Sequence, residues 1–219
     1  MNAKTQKNRE GQKKTKGLPE KGEFLYIDKK KKWQLTISGI SIFIVAAICI
    51  TGIIIYHTQK SIFAVIAALS ALPAAKMLVG YLIIMPYHSV NEEIKNHLES
   101  ICGDKEYCRI VYDVVLSSTD KPMYAGVVFI KNGKIYSYTD HYKNNKKTKL
   151  TISDVEKYIK FIVDANCTYS AIKVYDDKEK FFNAVKAEEF SQTGMTDDDI
   201  KKMKNMNERI EKQLNIYMF

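Results

Sequence analysis

Charged side chains are missing from a long stretch near the amino terminus: the 27 residues between Lys32 and Lys60 contain none. The core of this stretch runs from Trp33 to Tyr56. As an α-helix rising about 1.5 Å per residue, it is long enough to cross a hydrocarbon layer of roughly 30 Å. The sequence therefore predicts a membrane-spanning helix over residues 33–56.

Cysteine is scarce, and its spacing excludes the common cysteine-based sites. No two of the four cysteines form a CxxC pair, so neither a disulfide framework nor a zinc knuckle is indicated. A zinc site made of His97, Cys102, Cys108 and Cys167 is conceivable, but the spacing of its ligands is wrong. We expect all four cysteines to be free, largely buried thiols: Cys49, Cys102, Cys108 and Cys167.

The short motifs of several enzyme classes are also absent. The chain has no GxGxxG, GxxxxGK[ST], GxSxG or HExxH sequence, so nucleotide binding, acyl transfer and zincin chemistry have no visible support. We assign no catalytic residue, cofactor or metal from the sequence alone.

Positive charge is confined to the start of the chain. Residues 1–32 hold 11 Lys/Arg and 4 Asp/Glu, a net charge of +7, whereas residues 89–219 hold 21 of each sign and are neutral. We expect residues 1–32 to be a disordered basic tail on the cytoplasmic side. Its last four lysines, Lys29, Lys30, Lys31 and Lys32, adjoin the span and would attract anionic lipids. This explains the net charge of +9 better than a nucleic-acid partner does, and the 31 lysines against 3 arginines hint at an AT-rich bacterial genome.

A second apolar run follows from Ser61 to Tyr87, after a link of about four residues. Because lipid-exposed backbone must stay hydrogen-bonded, so short a link predicts an antiparallel transmembrane hairpin over residues 33–87. Both termini then lie on one side of the membrane. The lysines before the first span predict that this is the cytoplasmic side of a plasma membrane. A cleaved signal peptide is the alternative, but its charged and apolar regions would both be too long.

The second run contains one charged residue, Lys76, toward its cytoplasmic end. An ionisable residue in a span is a functional candidate by default; the alternative is a lysine whose stem reaches the headgroups. Small residues at helical spacing predict a close-packed seam against the first span or another copy: Ala64, Ala67, Ala68, Ala71, Ala74 and Ala75.

Residues 89–219 predict one cytoplasmic domain. A capping-box spacing at Ser89 begins a helix that ends near Cys102. Stretches rich in β-branched and aromatic residues predict strands, with an Asn132-Gly133 type I′ turn between the second and the third: 107–117, 123–131, 134–139 and 169–175. Two further helices follow the third and fourth strands, capped by Ser153 and by Asp176 or Asp177.

The predicted element order of this domain is α-β-β-β-α-β-α-α. Such an order favours a mixed four-stranded sheet with helices packed against it, so the fold class is a transmembrane hairpin plus an α/β (α+β) domain. The last helix starts at Thr196, and its apolar positions repeat every three or four residues with Asn207 in register. We expect it to pack on the sheet; the alternative is self-association or binding of a protein partner through residues 196–219.

The element order resembles that of restriction-endonuclease-like domains, in which one strand carries an acidic residue and the next a carboxylate-x-lysine. Asp113 would be the acid, but Phe129 stands where the resemblance requires a metal-binding carboxylate before Lys131. The resemblance therefore implies a relative without a working site. Asp140 and His141 lie near a predicted strand end and are further candidates, although a polar turn is the commoner meaning of such a pair.

Two functions are compatible with this sequence. The first is a non-enzymatic module that the hairpin anchors to the membrane and that binds a protein or regulates a membrane complex. The alternative is an enzyme acting at the membrane surface on a lipid headgroup or a nucleotide, with Asp113, Asp140 and His141 as candidate residues.

Overall fold

The computed structural model describes residues 20–56, 62–102, 108–118, 121–142, 150–165, 167, 169, 171–188 and 197–219. The disorder predicted for the first 19 residues and the turn predicted at 57–60 lie outside this part of the chain.

Two long apolar helices pack against each other as a hairpin. Helix α1 spans Tyr26–Tyr56 and helix α2 spans Ile62–Ile84; both are long and apolar enough to cross a membrane, and only 11% of the most apolar window of each is buried. Ala67 and Ala74 are buried, as expected for members of a close-packed alanine seam, whereas Ala68 and Ala75 are exposed.

Helix α1 begins seven residues before the predicted span. Residues 26–32, expected to belong to a disordered tail, form its first two turns. The cause is tertiary packing: Tyr26 and Ile27 are 5% and 1% exposed, in contact with the domain. At 31 residues and about 1.5 Å per residue, α1 is about 46 Å long, which exceeds the roughly 30 Å thickness of a hydrocarbon layer.

The domain is built on one mixed four-stranded sheet in the order β1-β2-β3-β4. The strands are Cys108–Leu116, Met123–Lys131, Lys134–Tyr138 and Ala171–Tyr175. β1, β2 and β3 pair antiparallel, and β4 pairs parallel with β3. The helices are α3 (Glu92–Cys102), α4 (Ile152–Asp164), α5 (Lys178–Lys186) and α6 (Asp197–Tyr217). The predicted order of elements and the α+β class are confirmed.

Local turn and cap chemistry fixes several of these boundaries. Asn132 and Gly133 both have positive φ angles, 53° and 68°, as the type I′ turn requires. Asp177 caps α5 by accepting hydrogen bonds from two first-turn amides, each at 3.0 Å. The cap predicted at Ser153 is wrong: Thr151 caps α4, and its amide donates to the Asp154 carboxylate at 2.8 Å.

Helices cover both faces of the sheet. On one face, α4 and α6 pack against residues such as Val128 and Ile130. On the other, α3 and α5 pack against Val127 and Phe129. Because side chains alternate along a strand and both faces are covered, β2 is a nearly continuous apolar run.

Helix α6 packs on its own sheet, as expected. Ile210 and Leu214 are fully buried there. Asn207 is 2% exposed, and its Oδ1 accepts a hydrogen bond from the Gly133 amide at 3.2 Å. These residues of the predicted seam therefore serve the fold of this domain.

The prediction that all cysteines are free is wrong for one pair. Cys102, the last residue of α3, forms a disulfide with Cys108, the first residue of β1, across a Cα–Cα distance of 5.9 Å. The sequence shows how far apart the two cysteines are in the chain, but not that the end of α3 lies beside the start of β1. Cys49 and Cys167 are free, the first exposed and the second half-buried.

Candidate functional site at the hairpin–domain junction

Asp113 lies where the hairpin joins the domain. It occupies a bulge in β1, where the register with β2 shifts, and its φ of 55° is a conformation that Asp adopts more readily than most residues. Bulges redirect side chains. Here the carboxylate is turned toward the hairpin and is fully buried.

Both carboxylate oxygens of Asp113 accept hydrogen bonds from the hairpin or from the segment after it. Oδ2 accepts from the Ser89 hydroxyl at 2.7 Å and from the Ile27 amide at 3.2 Å, and Oδ1 accepts from the Val90 amide at 3.0 Å. The Ile27 amide belongs to the first turn of α1, where a helix has unsatisfied N–H groups and favours negative charge. Asp113 thus holds the start of α1 and the segment after α2 together.

The electrostatic setting of Asp113 balances burial against hydrogen bonding. Burial raises the pKa of the Asp113 carboxyl above its ordinary value, while the hydrogen bonds from Ser89, Val90 and Ile27 lower it and the nearby Asp28 raises it further; the net shift is upward. Because three donors from two segments, the start of α1 and the stretch after α2, occupy its oxygens, the carboxyl acts as a structural clamp.

Aromatic residues complete this junction. Tyr26, Ile27, Tyr87, Val115 and Tyr124 form one buried group, which we call the junction cluster. Within it, the rings of Tyr87 and Tyr124 stack with centroids 5.2 Å apart. The Tyr87 hydroxyl donates to the Pro122 carbonyl at 2.9 Å, and the Tyr124 hydroxyl donates to the His88 carbonyl. Burial is the main cause that raises the pKa of Tyr124 well above its ordinary value, so this phenol stays protonated.

A cavity of about 370 Å³ opens beside the junction cluster. Its polar lining comes from the segment after α2 and from the end of β3: His88, Ser89, Asn91, Thr139, Asp140 and His141. The volume falls in the range of small-ligand sites, roughly 300–1,000 Å³. Gly126 also lines the cavity; its φ is +64°, and a Cβ atom there would come within 2.3 Å of the Tyr138 carbonyl oxygen.

The structure brings two predicted site residues, Asp140 and His141, to this cavity. The His141 ring packs among three tyrosines, with centroids 4.8 Å from Tyr87, 5.9 Å from Tyr124 and 5.2 Å from Tyr142. Burial lowers the pKa of His141 below its ordinary value, and His88 lowers it further, whereas Asp140 raises it. A neutral imidazole beside an exposed carboxylate can exchange hydrogen bonds with a polar ligand.

The other candidates lie apart from this cavity. Asp113 does not line the cavity; Ser89 does. The Ser89 hydroxyl already donates a hydrogen bond to the Asp113 carboxylate. Lys76 is exposed on α2. The residues considered for a zinc site do not assemble, because Cys102 and Cys108 bond to each other; within the described ranges, no group of three His, Cys, Asp or Glu side chains is suited to a metal ion.

The register of the sheet separates the two residues of the restriction-endonuclease-like resemblance. Lys131 pairs with Cys108, five residues before Asp113 on β1. At about 3.3 Å per residue, this places the two backbones about 16 Å apart along the strand. Phe129, between them on the neighbouring strand, is fully buried in the core.

Sequence reasoning missed the residues that supply one wall of the cavity. His88 and Asn91 follow the second apolar run directly and match no ligand-binding pattern. Their one available signal was position, directly after the second apolar run. No protein-family model, curated protein sequence or solved structure matches this chain.

Proposed function

We propose that this protein is a membrane-anchored, non-enzymatic module whose α+β domain is held rigidly on a transmembrane hairpin and contacts a protein partner at the cytoplasmic face of a plasma membrane. The observation that carries the proposal is the Asp113 clamp. Its fully buried carboxylate joins β1 to α1 and to the segment after α2. A domain on a flexible tether would not need such a connection.

The proposed orientation is supported by the lysines at the start of α1. Lys29 and Lys32 are exposed, where they can attract anionic lipids. The other two are partly engaged: Lys30 donates to the Tyr26 hydroxyl at 3.0 Å, and Lys31 donates to the Tyr87 carbonyl. Four cations at one end of the hairpin favour a cytoplasmic location of that end and of both termini.

The proposed protein contact uses the outer face of α4 and α6. Among the described residues beyond Val90, Phe161 and Ile216 are the large apolar side chains that remain exposed, at 65% and 71%. Phe161 lies on α4 and Ile216 on α6, and these two helices pack against each other. A partner or a second copy docking there would still use part of residues 196–219, but not their buried seam.

Photocrosslinking in native membranes tests this proposal. We expect a benzophenone side chain at position 161 or 216 to form an adduct with another protein, and one at Lys180, exposed on α5, to form none. Adducts with a second copy of this chain would identify self-association. Equal labelling from all three positions, or from none, would contradict the proposed contact face.

The cavity favours the second candidate function, an enzyme acting at the membrane surface on a lipid headgroup or a nucleotide. Asp140 and His141 line it together with His88 and Ser89, which follow α2. If this candidate is correct, Asp140→Asn and His141→Gln abolish the cellular phenotype of the protein while its abundance in the membrane stays unchanged. If both variants retain the phenotype, the enzyme is ruled out.

A further inference from the structure

A second crevice, of about 360 Å³, lies on the other side of His141. One wall is formed by the last two turns of α2, with Val79, Leu82 and Ile83, and the other by the domain, with Pro122, Tyr142 and Leu150. Lys121 also lines it and is exposed. The crevice is thus apolar on both walls and carries one cation.

The position of the crevice along the hairpin relates it to the depth of a bilayer. The Lys31 ammonium donates to the Tyr87 carbonyl, which marks the level at which both helices enter the domain. Val79 lies five residues before the end of α2 at Ile84, about 8 Å deeper along that helix. The apolar wall therefore reaches down from the headgroup level into the acyl region.

The lipid-facing surface of α2 continues directly into this crevice. Val79 and Leu82 are each 55% exposed, so they belong both to the outer surface of the proposed span and to the crevice wall. In a membrane, the molecules next to these side chains are phospholipids, whose acyl chains match the apolar walls. Lys121 supplies the charge that a phosphate or an anionic headgroup would neutralise.

We propose that this crevice binds one anionic phospholipid of the cytoplasmic leaflet, with an acyl chain between Leu82 and Leu150 and the headgroup at Lys121. The inference rests on the proposed membrane insertion of the hairpin. His141 lines both this crevice and the polar cavity, so a bound lipid would lie against the ring that separates the two.

Quenching by brominated lipids tests the proposal on the full-length protein in nanodiscs. Trp33 is the sole tryptophan, so Trp33→Phe gives a silent background for single reporters. Leu150→Trp reports on the crevice and Phe43→Trp, at a site 75% exposed on α1, reports on the bilayer. Phe161→Trp is the distal control, since position 161 lies about 14 Å along α4 from its first residue, Ile152, which is two residues after Leu150.

We expect lipids brominated on the acyl chain to quench the reporter at position 150 nearly as strongly as the one at 43, and to leave the one at 161 unquenched. At position 150, the lipid affinity obtained from quenching should be about fivefold higher for brominated phosphatidylglycerol than for brominated phosphatidylcholine. This is the contribution of one cation near an anionic surface. Lys121→Gln should remove that preference, whereas Lys32→Gln should retain it.

The possible failures are distinguishable. Quenching at 43 without quenching at 150 would overturn the lipid site and leave the membrane anchor intact. No quenching at 43 would overturn the anchor itself. Equal quenching at 150 by both lipids would overturn the anionic preference. Native mass spectrometry of the wild-type chain, released from detergent, checks the site without a tryptophan variant: one retained phosphatidylglycerol supports it, and a lipid-free spectrum contradicts it.

Discussion

The carboxylate of Asp113 accepts a hydrogen bond from the amide of Ile27, a residue 86 positions earlier in the chain. Through this contact the bulge of β1 caps the first turn of the apolar helix α1. The same carboxylate also holds Ser89 and Val90, which follow the apolar helix α2. One side chain therefore joins both ends of the hairpin to the sheet.

Removing this clamp should weaken the whole protein. Asp113→Ala leaves the buried amides of Ile27 and Val90 without an acceptor, at a total cost of about 3 kcal/mol. Asp113→Asn keeps one oxygen acceptor and should cost about 1 kcal/mol. Thermal unfolding of the full chain in mild detergent, followed by circular dichroism, measures the difference. An alanine variant as stable as the wild type would show that the clamp does not hold the junction.

Asn207 should stabilise the turn between β2 and β3. Because its Oδ1 is the acceptor for the Gly133 amide, Asn207→Ala leaves a buried donor and should cost about 1–2 kcal/mol. Asn207→Asp keeps the acceptor and should cost less. The matched control is Asn205→Ala, at an exposed position of the same helix, which should be neutral. If Asn207→Ala instead changed only the oligomeric state, the self-association hypothesis would regain support.

The Cys102–Cys108 pair connects stability to the redox state of the compartment. Closing so short a loop should stabilise the fold by about 2 kcal/mol, so reduction, or replacement of both residues by Ser, should lower the melting temperature. Since the cytoplasm keeps thiols reduced, the proposed orientation predicts that both cysteines are alkylated when cells are quenched in acid and then denatured in the presence of a maleimide, which also reaches the buried Cys108. Protection of both from alkylation under these denaturing conditions would place the domain in an oxidising compartment.

His141 should make stability depend on pH in a defined window. Burial lowers the pKa of His141 below its ordinary 6.5, so the folded state binds this proton less readily than the unfolded chain does. Stability is therefore fully present above about pH 6.5 and falls as the pH drops from there toward the lowered pKa. His141→Phe keeps an aromatic ring among the tyrosines and should flatten this part of the profile. Parallel profiles for the two proteins would contradict the prediction.

The domain could be predicted from the sequence because its local signals agree with one another. β2 and β3 lie at the expected residues, since their β-branched and aromatic residues and the Asn132-Gly133 turn favour the same hairpin. The cap of α4 was misplaced by two residues because Thr151 and Ser153 both have a carboxylate three positions later. Only the structure shows that Ile152 already belongs to the helix.

The junction could not be predicted, because its causes are far apart in the chain. Residues 26–32 contain four consecutive lysines and resemble a solvated tail by composition. Most helical stability in proteins comes from packing. These residues are helical because Tyr26 and Ile27 are buried against Val115 and Tyr124. Likewise, nothing near Asp113 in the sequence indicates that its partners are Ile27 and Ser89.

We propose that the chain crosses the membrane twice and returns its domain to the cytoplasmic side. Trypsin protection in right-side-out spheroplasts and inverted vesicles, read with an antibody to the carboxyl-terminal residues, tests it most directly. We expect the domain to be protected in spheroplasts, digested in inverted vesicles, and retained in the membrane pellet after alkaline carbonate extraction. Digestion of the domain in intact spheroplasts would contradict its cytoplasmic location. Release of the full chain by carbonate would contradict the membrane insertion of the hairpin.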